Sequence, residues 1–248
     1  MMIFTIAWRE LRQMFLSPLA WCVLAVIQAI LAWSYLITVE ASLRPAEAGN
    51  LAQYGVTAIA LGVFGQASFL LLLVVPLMSM RLIAEERRSG ALSLLMSAPL
   101  SMTEIVLGKY LGLLMFLFIM LALITLMPLA LALGTHLDYG HLFAGMLGLA
   151  LELGAFAAVG LYMSTLTRQP VIAAISGFGI LLGLWIINAS TTGGTGTSAV
   201  FHYLSLLDHY RSLILGVFDS SDVIYYLLFI TTFLVLSIRR LDSFRLQH

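Results

Sequence analysis

Glu85-Glu86-Arg87-Arg88 is the strongest concentration of charge in this sequence. Two carboxylates beside two guanidinium groups end the second span abruptly and make this segment the best candidate for contact with a soluble partner. Gly90 allows a bend, and Ala91, Leu92, Leu94, Leu95 and Met96 follow as a short apolar helix ended by Ala98-Pro99. A leucine-rich turn flanked by charges fits a groove on a soluble partner, and a helix lying on the membrane surface is the alternative. Glu152 is the second chemically loaded residue. It stands about ten residues inside an apolar stretch, where an ionisable group is costly unless it faces protein or water. It is a candidate for a substrate path or a proton-linked switch. The plainer reading is a hydrogen-bonded glutamate packed between helices against Gln28 or Gln66.

Several chemistries are excluded. There is no Gly-x-x-x-x-Gly-Lys-Ser/Thr loop: Lys109 sits in Gly108-Lys109-Tyr110, with Thr103 where the first glycine belongs. The chain therefore cannot cradle a nucleotide phosphate in that way. A His-Glu-x-x-His motif is absent, and Ser176-Gly177-Phe178-Gly179 lacks both the preceding glycine and a histidine base. The run His136-Leu137-Asp138-Tyr139-Gly140-His141 offers three potential ligands at a spacing that matches no helical pair, so no metal site is assigned. Cys22 is the lone cysteine, which rules out an internal disulfide. No cofactor on this chain and no nucleic-acid partner are expected.

The elements that position these residues are membrane spans. Hydrophobic residues make up 61% of the chain and charged ones 10%, which places it among integral membrane proteins. Crossing the hydrocarbon takes about 20 residues of helix, since every backbone group must be satisfied internally there. Six segments qualify: 19–39, 58–82 with Pro76, 105–133 with Pro128, 142–166 around Glu152, 171–189 and a short 223–238. Ser17-Pro18 starts the first, Ser101 and Glu104 form a capping box before the third, and Ser220 or Ser221 is the expected cap of the sixth. The fold class is all-α integral membrane, a single transmembrane domain over 1–248. An N-terminal interfacial helix occupies 1–16, the cytoplasmic segment between the second and third spans 84–99, and an outer loop with a short helix 190–221.

Orientation follows from the basic residues, which are retained in the cytoplasm. With the N-terminus inside, Arg9, Arg12, Arg81, Arg87, Arg88, Lys109, Arg168, Arg239, Arg240 and Arg245 are cytoplasmic, ten of the twelve. Both termini are then cytoplasmic, and the first span is not a cleaved signal. In the N-terminal helix Phe4, Ala7, Trp8, Leu11, Met14 and Phe15 recur at helical spacing, opposite Arg9, Glu10, Arg12 and Gln13. Either a plain anchor or an elbow touching a cytoplasmic partner fits that pattern. In the outer loop, Val200, Leu204, Leu207 and Ile214 place His202, Ser205, Asp208, His209 and Ser212 on the wet face of a short helix. It is a lid on the headgroups or a gate, with Asp208 and His209 as gating candidates.

The segment from Met80 to Pro99, followed by Ile105-Val106-Leu107-Gly108-Lys109-Tyr110, resembles the membrane subunits of type-2 ABC exporters, which carry Glu-Glu-Arg-x-x-Gly-x-Leu-x-Leu-Leu-x-x-x-Pro between the second and third spans. Similarity continues in Gly160-Leu161-Tyr162-Met163-Ser164-Thr165-Leu166-Thr167-Arg168 and around His209-Tyr210-Arg211, and is nearest the gliding-motility-type permease branch. The resemblance implies six spans, a second permease subunit as homodimer or heterodimer, and two cytoplasmic ATPase subunits that hold the ATP and magnesium. It implies that residues 84–99 are the coupling helix. Glu85, Glu86, Arg87, Arg88 and Gly90, together with Arg168, would meet the ATPase, while Leu94 and Leu95 fill its groove before Pro99. ATP-driven closure would then tilt spans one, two and five. The expected location is a bacterial inner membrane. Glu152 departs from the family's apolar residue there.

Three functions are carried forward: an exporter permease, a subunit that transmits ATPase work to an outer-side accessory protein without transport, and a permease for metal or cofactor maturation. The outer histidines are the feature that favours the last.

Overall fold

A computed structural model describes residues 2–43, 45–91, 101–131, 138–187, 205–215 and 219–245, with the backbone alone for 42, 43, 45–60 and 245. Nine helices account for nearly all of them: α1 (Met2–Leu16), α2 (Pro18–Leu43), α3 (Pro45–Ser79), α4 (Arg81–Ser89), α5 (Met102–Leu131), α6 (Tyr139–Leu166), α7 (Pro170–Ile186), α8 (Leu206–Ile214) and α9 (Ser220–Arg245). No strand occurs among the described residues. Leu92, Leu94, Leu95, Pro99, His136 and His202 lie outside them.

Among the described residues, five stretches are long and apolar enough to cross a bilayer: Pro18–Ala41, Leu61–Ser89, Met102–Leu131, Tyr139–Leu166 and Ser220–Phe244. The expected fifth crossing, 171–189, falls short of that length within the described residues, which stop here at 187. Its helix α7 runs only Pro170–Ile186, 17 residues, or about 26 Å at 1.5 Å per residue. The 223–238 segment errs the other way, because α9 continues to Arg245 with Leu241 buried on the bundle. Its cap is also corrected: the Ser221 amide donates to Asp219 Oδ1 at 3.0 Å, so an aspartate and not Ser220 or Ser221 supplies the acceptor.

Helix α6 is the centre. It touches α3, α4, α5, α7, α8 and α9, and its middle from Glu152 to Leu161 is buried throughout. Lipid tails are as apolar as leucine, so helices in a bilayer associate through close packing of small residues and through hydrogen bonds. Gly160 meets α3 so closely that an added Cβ would lie 1.9 Å from Ser79 Oγ. Gly108 and Gly112 on α5 do the same for α1, where added Cβ atoms would lie 2.7 Å from Ile6 and Glu10. Tyrosine hydroxyls tie the remaining elements to backbone: Tyr110 to Gly154 O, Tyr210 to Phe64 O and Tyr226 to Leu206 O, at 2.8–3.0 Å.

The apolar pattern of α1 divides between two surroundings. Ala7, Leu11 and Met14 are buried on α5, whereas Phe4 and Trp8 are exposed. That second, outward apolar strip is where lipid belongs for a helix lying in the interface.

Candidate functional site at the basic end

Helix α3 reaches the basic end and breaks at Met80, and α4 carries the chain on for nine residues. Ser164 of α6 is inserted at the break. Its hydroxyl accepts from the amides of Ile83 and Ala84, at 3.1 and 2.9 Å, and donates to Met80 O at 2.9 Å. The hydroxyl thus stands between the donor and acceptor of the rung from residue 84 to residue 80, a recognised cause of a local helix break. Met80 itself offers no side-chain cap, so the first turn of α4 is satisfied from another span. The helix ends at Gly90, whose φ of 77° is left-handed, the bend anticipated there.

Lys109 anchors α4 to two other helices. Its ammonium lies 2.7 Å from Glu86 Oε1 and 3.1 Å from Glu10 Oε2. The lysine side chain is 4% exposed, against 15% for Glu10 and 28% for Glu86. One buried cation therefore joins α1, α4 and α5. The capping box that starts α5 is present, with the Ser101 amide donating to Glu104 Oε2 at 3.1 Å and the Glu104 amide to Ser101 Oγ at 3.2 Å.

The charged residues divide by role. Glu86 faces inward to Lys109, and Glu85 and Arg88 are exposed. The Arg87 guanidinium donates to Thr165 O and lies 4.5 Å over the Phe244 ring, tying α4 to the ends of α6 and α9. Arg87, Arg88 and Arg168 surround one cavity of about 470 Å³ with Gln169, Pro170 and Val171. The structure thus gathers Glu85 to Gly90 and Arg168 at one end of the bundle.

The sequence matches the family described as ABC-2 family transporter protein over residues 4–243. The chain belongs to that family. It is a multi-pass membrane protein and the permease component of an ABC transporter. Membership implies ATPase partners and pairing of membrane subunits. No curated protein matches the sequence.

The other candidate residues lie elsewhere in this permease. Glu152 is fully buried, and its Oε1 accepts from Ser68 Oγ at 2.8 Å. The anticipated partners are not used: Gln66 is exposed, and α3 meets the carboxyl through the serine two positions on. Oε2 finds no hydrogen-bond partner among the described residues. The short helix of the opposite end also differs from the expected lid. Ser205, expected on its wet face, is fully buried as the N-cap of α8 and accepts from the Asp208 amide at 3.3 Å. Leu206, Tyr210 and Leu213 are buried, the last two against Gly148 of α6. His209 Nδ1 is 2.6 Å from Asp222 Oδ1, and its ring stacks on Tyr225 at 4.1 Å. This pairing fixes α8 to the start of α9 and does not bring His209 to Glu152's hydrogen bond. No group of three or more metal-ligating side chains occurs among the described residues. Asp138 instead caps α6 through the amides of Gly140 and His141, and its second oxygen meets His141 Nδ1 at 2.8 Å. Those bonds, led by the one from His141, hold the Asp138 carboxyl below its ordinary range.

Sequence reasoning missed Ser164 and the reach of Lys109. The first gives no local signal, since its partners are 80 and more residues away. The second had one: a lysine within an apolar span needs a partner.

Proposed function

We propose that this chain is the permease subunit of an ABC exporter of the gliding-motility-type branch, moved by separate ATPase subunits that engage α4 and the arm continuing to Pro99. The basic end is cytoplasmic, and the membrane is a bacterial inner membrane. Two permeases, identical or related, pair above two ATPases.

The observation that carries this reading is the fastening of α4. One side of this helix is joined to three spans and to the interfacial helix through Glu86, Arg87 and the amides held by Ser164. Its other side leaves Arg88 exposed beside Arg168. A push on the exposed side is passed to α1, α5, α6 and α9 without a flexible link between them. Three guanidinium groups around one cavity call for an acidic surface on the ATPase. Leu94 and Leu95 fill its groove, and the coupling segment is 84–99.

Transmission of work to an outer-side partner is the second reading, favoured by α8. Tyr210, Tyr226 and the His209–Asp222 pair bind it to α3 and α9, so movement of the spans reaches the far surface. The metal-maturation reading gains no such support, because the His141 ring is paired with Asp138, the cap of α6.

Co-purification tests the proposal. A nucleotide-binding chain should remain bound to the wild type in mild detergent and be lost from Leu94→Asp, which still inserts. Retention of the ATPase by that variant contradicts the docking assignment.

A further inference from the structure

A second cavity at the basic end, about 350 Å³, opens between α1, α4 and the adjoining ends of α2, α3 and α5. That is within the size range of small-ligand sites, about 300–1,000 Å³. Its floor is apolar: Leu19 and Ala20 from the start of α2, Leu77 and Met78 from the end of α3. These residues belong to the first two crossings, and Leu77 among them is exposed on the outside of the bundle. The neighbouring indoles mark its depth. Trp8 and Trp21 are 64% and 59% exposed, and Trp21 donates to Phe15 O at 2.8 Å where α1 turns into α2. Exposed tryptophans gather at headgroup level.

We propose that this cavity holds the headgroup of an ethanolamine phospholipid, with the acyl chains along α2 and α3. Three features select that chemistry. The first is charge: Arg9, Arg81 and Lys109 line the cavity with Glu10, Glu85 and Glu86. Three positive and three negative groups leave the wall neutral, which suits a zwitterion and gives a purely anionic headgroup no net attraction. The second is distribution. Lys109 is taken up by Glu10 and Glu86, whereas Arg81 and Glu85 are only loosely paired at 3.9 Å, both about half exposed. Arg81 and the exposed Arg9 are available for a phosphate, and Glu85 for an ammonium. The third concerns the amine. No aromatic side chain lines this cavity among the described residues, so a quaternary ammonium lacks the ring faces that recognise it. A primary ammonium instead donates N–H bonds to carboxylate. The site is distinct from the cavity of Arg87, Arg88 and Arg168, and it requires no ATPase.

Native mass spectrometry of the full chain, delipidated in detergent and titrated with ethanolamine, choline and glycerol phospholipids of identical acyl chains, tests the proposal. The ethanolamine lipid should be retained preferentially as one tight adduct. Arg9→Ala with Arg81→Ala should weaken that adduct by more than about tenfold, since each lost charge-assisted bond is worth at least that factor. Glu85→Gln should abolish the preference over the choline lipid while leaving retention of the latter unchanged. Equal retention of the three headgroups, or indifference to all these substitutions, overturns the proposal. So does full competition by soluble phosphoethanolamine, which would make the site one for a free metabolite. Melting curves of each variant without lipid confirm that a lost adduct is not a lost fold.

Discussion

Replacing Lys109 by methionine keeps most of the side-chain volume and removes the one charge that two carboxylates share. Each contact is short, 2.7 Å to Glu86 and 3.1 Å to Glu10, and the lysine has almost no access to water. Removing one partner of a buried pair costs about 3–5 kcal/mol, because the other charge is left unpaired. Here the orphans are carboxylates at 15% and 28% exposure, so both recover some hydration by turning outward. That places Lys109→Met at or just below the bottom of that range, about 2–3 kcal/mol. For a chain of this size the loss corresponds to a fall of roughly 5–10 °C in melting temperature. Four tryptophans, with Trp21 at the α1–α2 junction, make scanning fluorimetry in mild detergent the natural assay. The triple variant Glu10→Gln, Lys109→Met, Glu86→Gln leaves no unpaired charge and should regain stability to within about 1 kcal/mol of wild type. The reasoning is refuted if Lys109→Met melts with the wild type, or if the triple variant is no better than the single one.

Gly160→Ala should be disproportionately harmful, because its new Cβ would lie 2.8 Å from Ser79 Cβ and force α3 and α6 apart. A loss of about 1–3 kcal/mol is expected in the same assay, whereas Gly179→Ala, with nothing within 4 Å, should be nearly silent. Ser164→Ala should fold with only about 1 kcal/mol lost, since the amides of α4 can reclose onto their own carbonyls. The arm should nevertheless swing, and spin labels at positions 88 and 168 should report a changed distance; an unchanged one argues against the inserted hydroxyl as the cause of the break. At the opposite end, Asp138 is lowered in the folded state. Its stabilisation is present above the unfolded value near 3.9 and fades as pH falls through the lower folded one. Asp138→Asn, which still caps, should remove that acid sensitivity and lose less stability than Asp138→Ala.

Much of the framework was legible because it rests on local chemistry. The capping box at Ser101 and Glu104, Pro18 at the start of α2 and Gly90 at the end of α4 each fix a few dihedrals through residues within one turn. Hydropathy located the long crossings for the same reason. Lengths were less legible: α9 goes past Arg239 and Arg240 because Leu241 still finds the bundle. Polar partners were least legible. Glu152 takes Ser68 and not Gln66, a choice set by which face α3 turns to α6. Lys109 and Ser164 likewise join residues remote in the chain, and no spacing rule encodes which glutamate or which amide arrives beside them. For α1 the periodicity gave one apolar face, while packing divided it between α5 and the surroundings.

The central claim is that work enters this permease through the exposed side of α4. Cys22 is exposed and has first to be replaced by serine. A photo-reactive amino acid at position 88 in the complex reconstituted in lipid then tests the claim most directly. Cross-linking to a nucleotide-binding chain that changes in yield between the ATP-bound and ADP-bound states is the result expected. Adducts to lipid alone, unchanged by nucleotide, would contradict it.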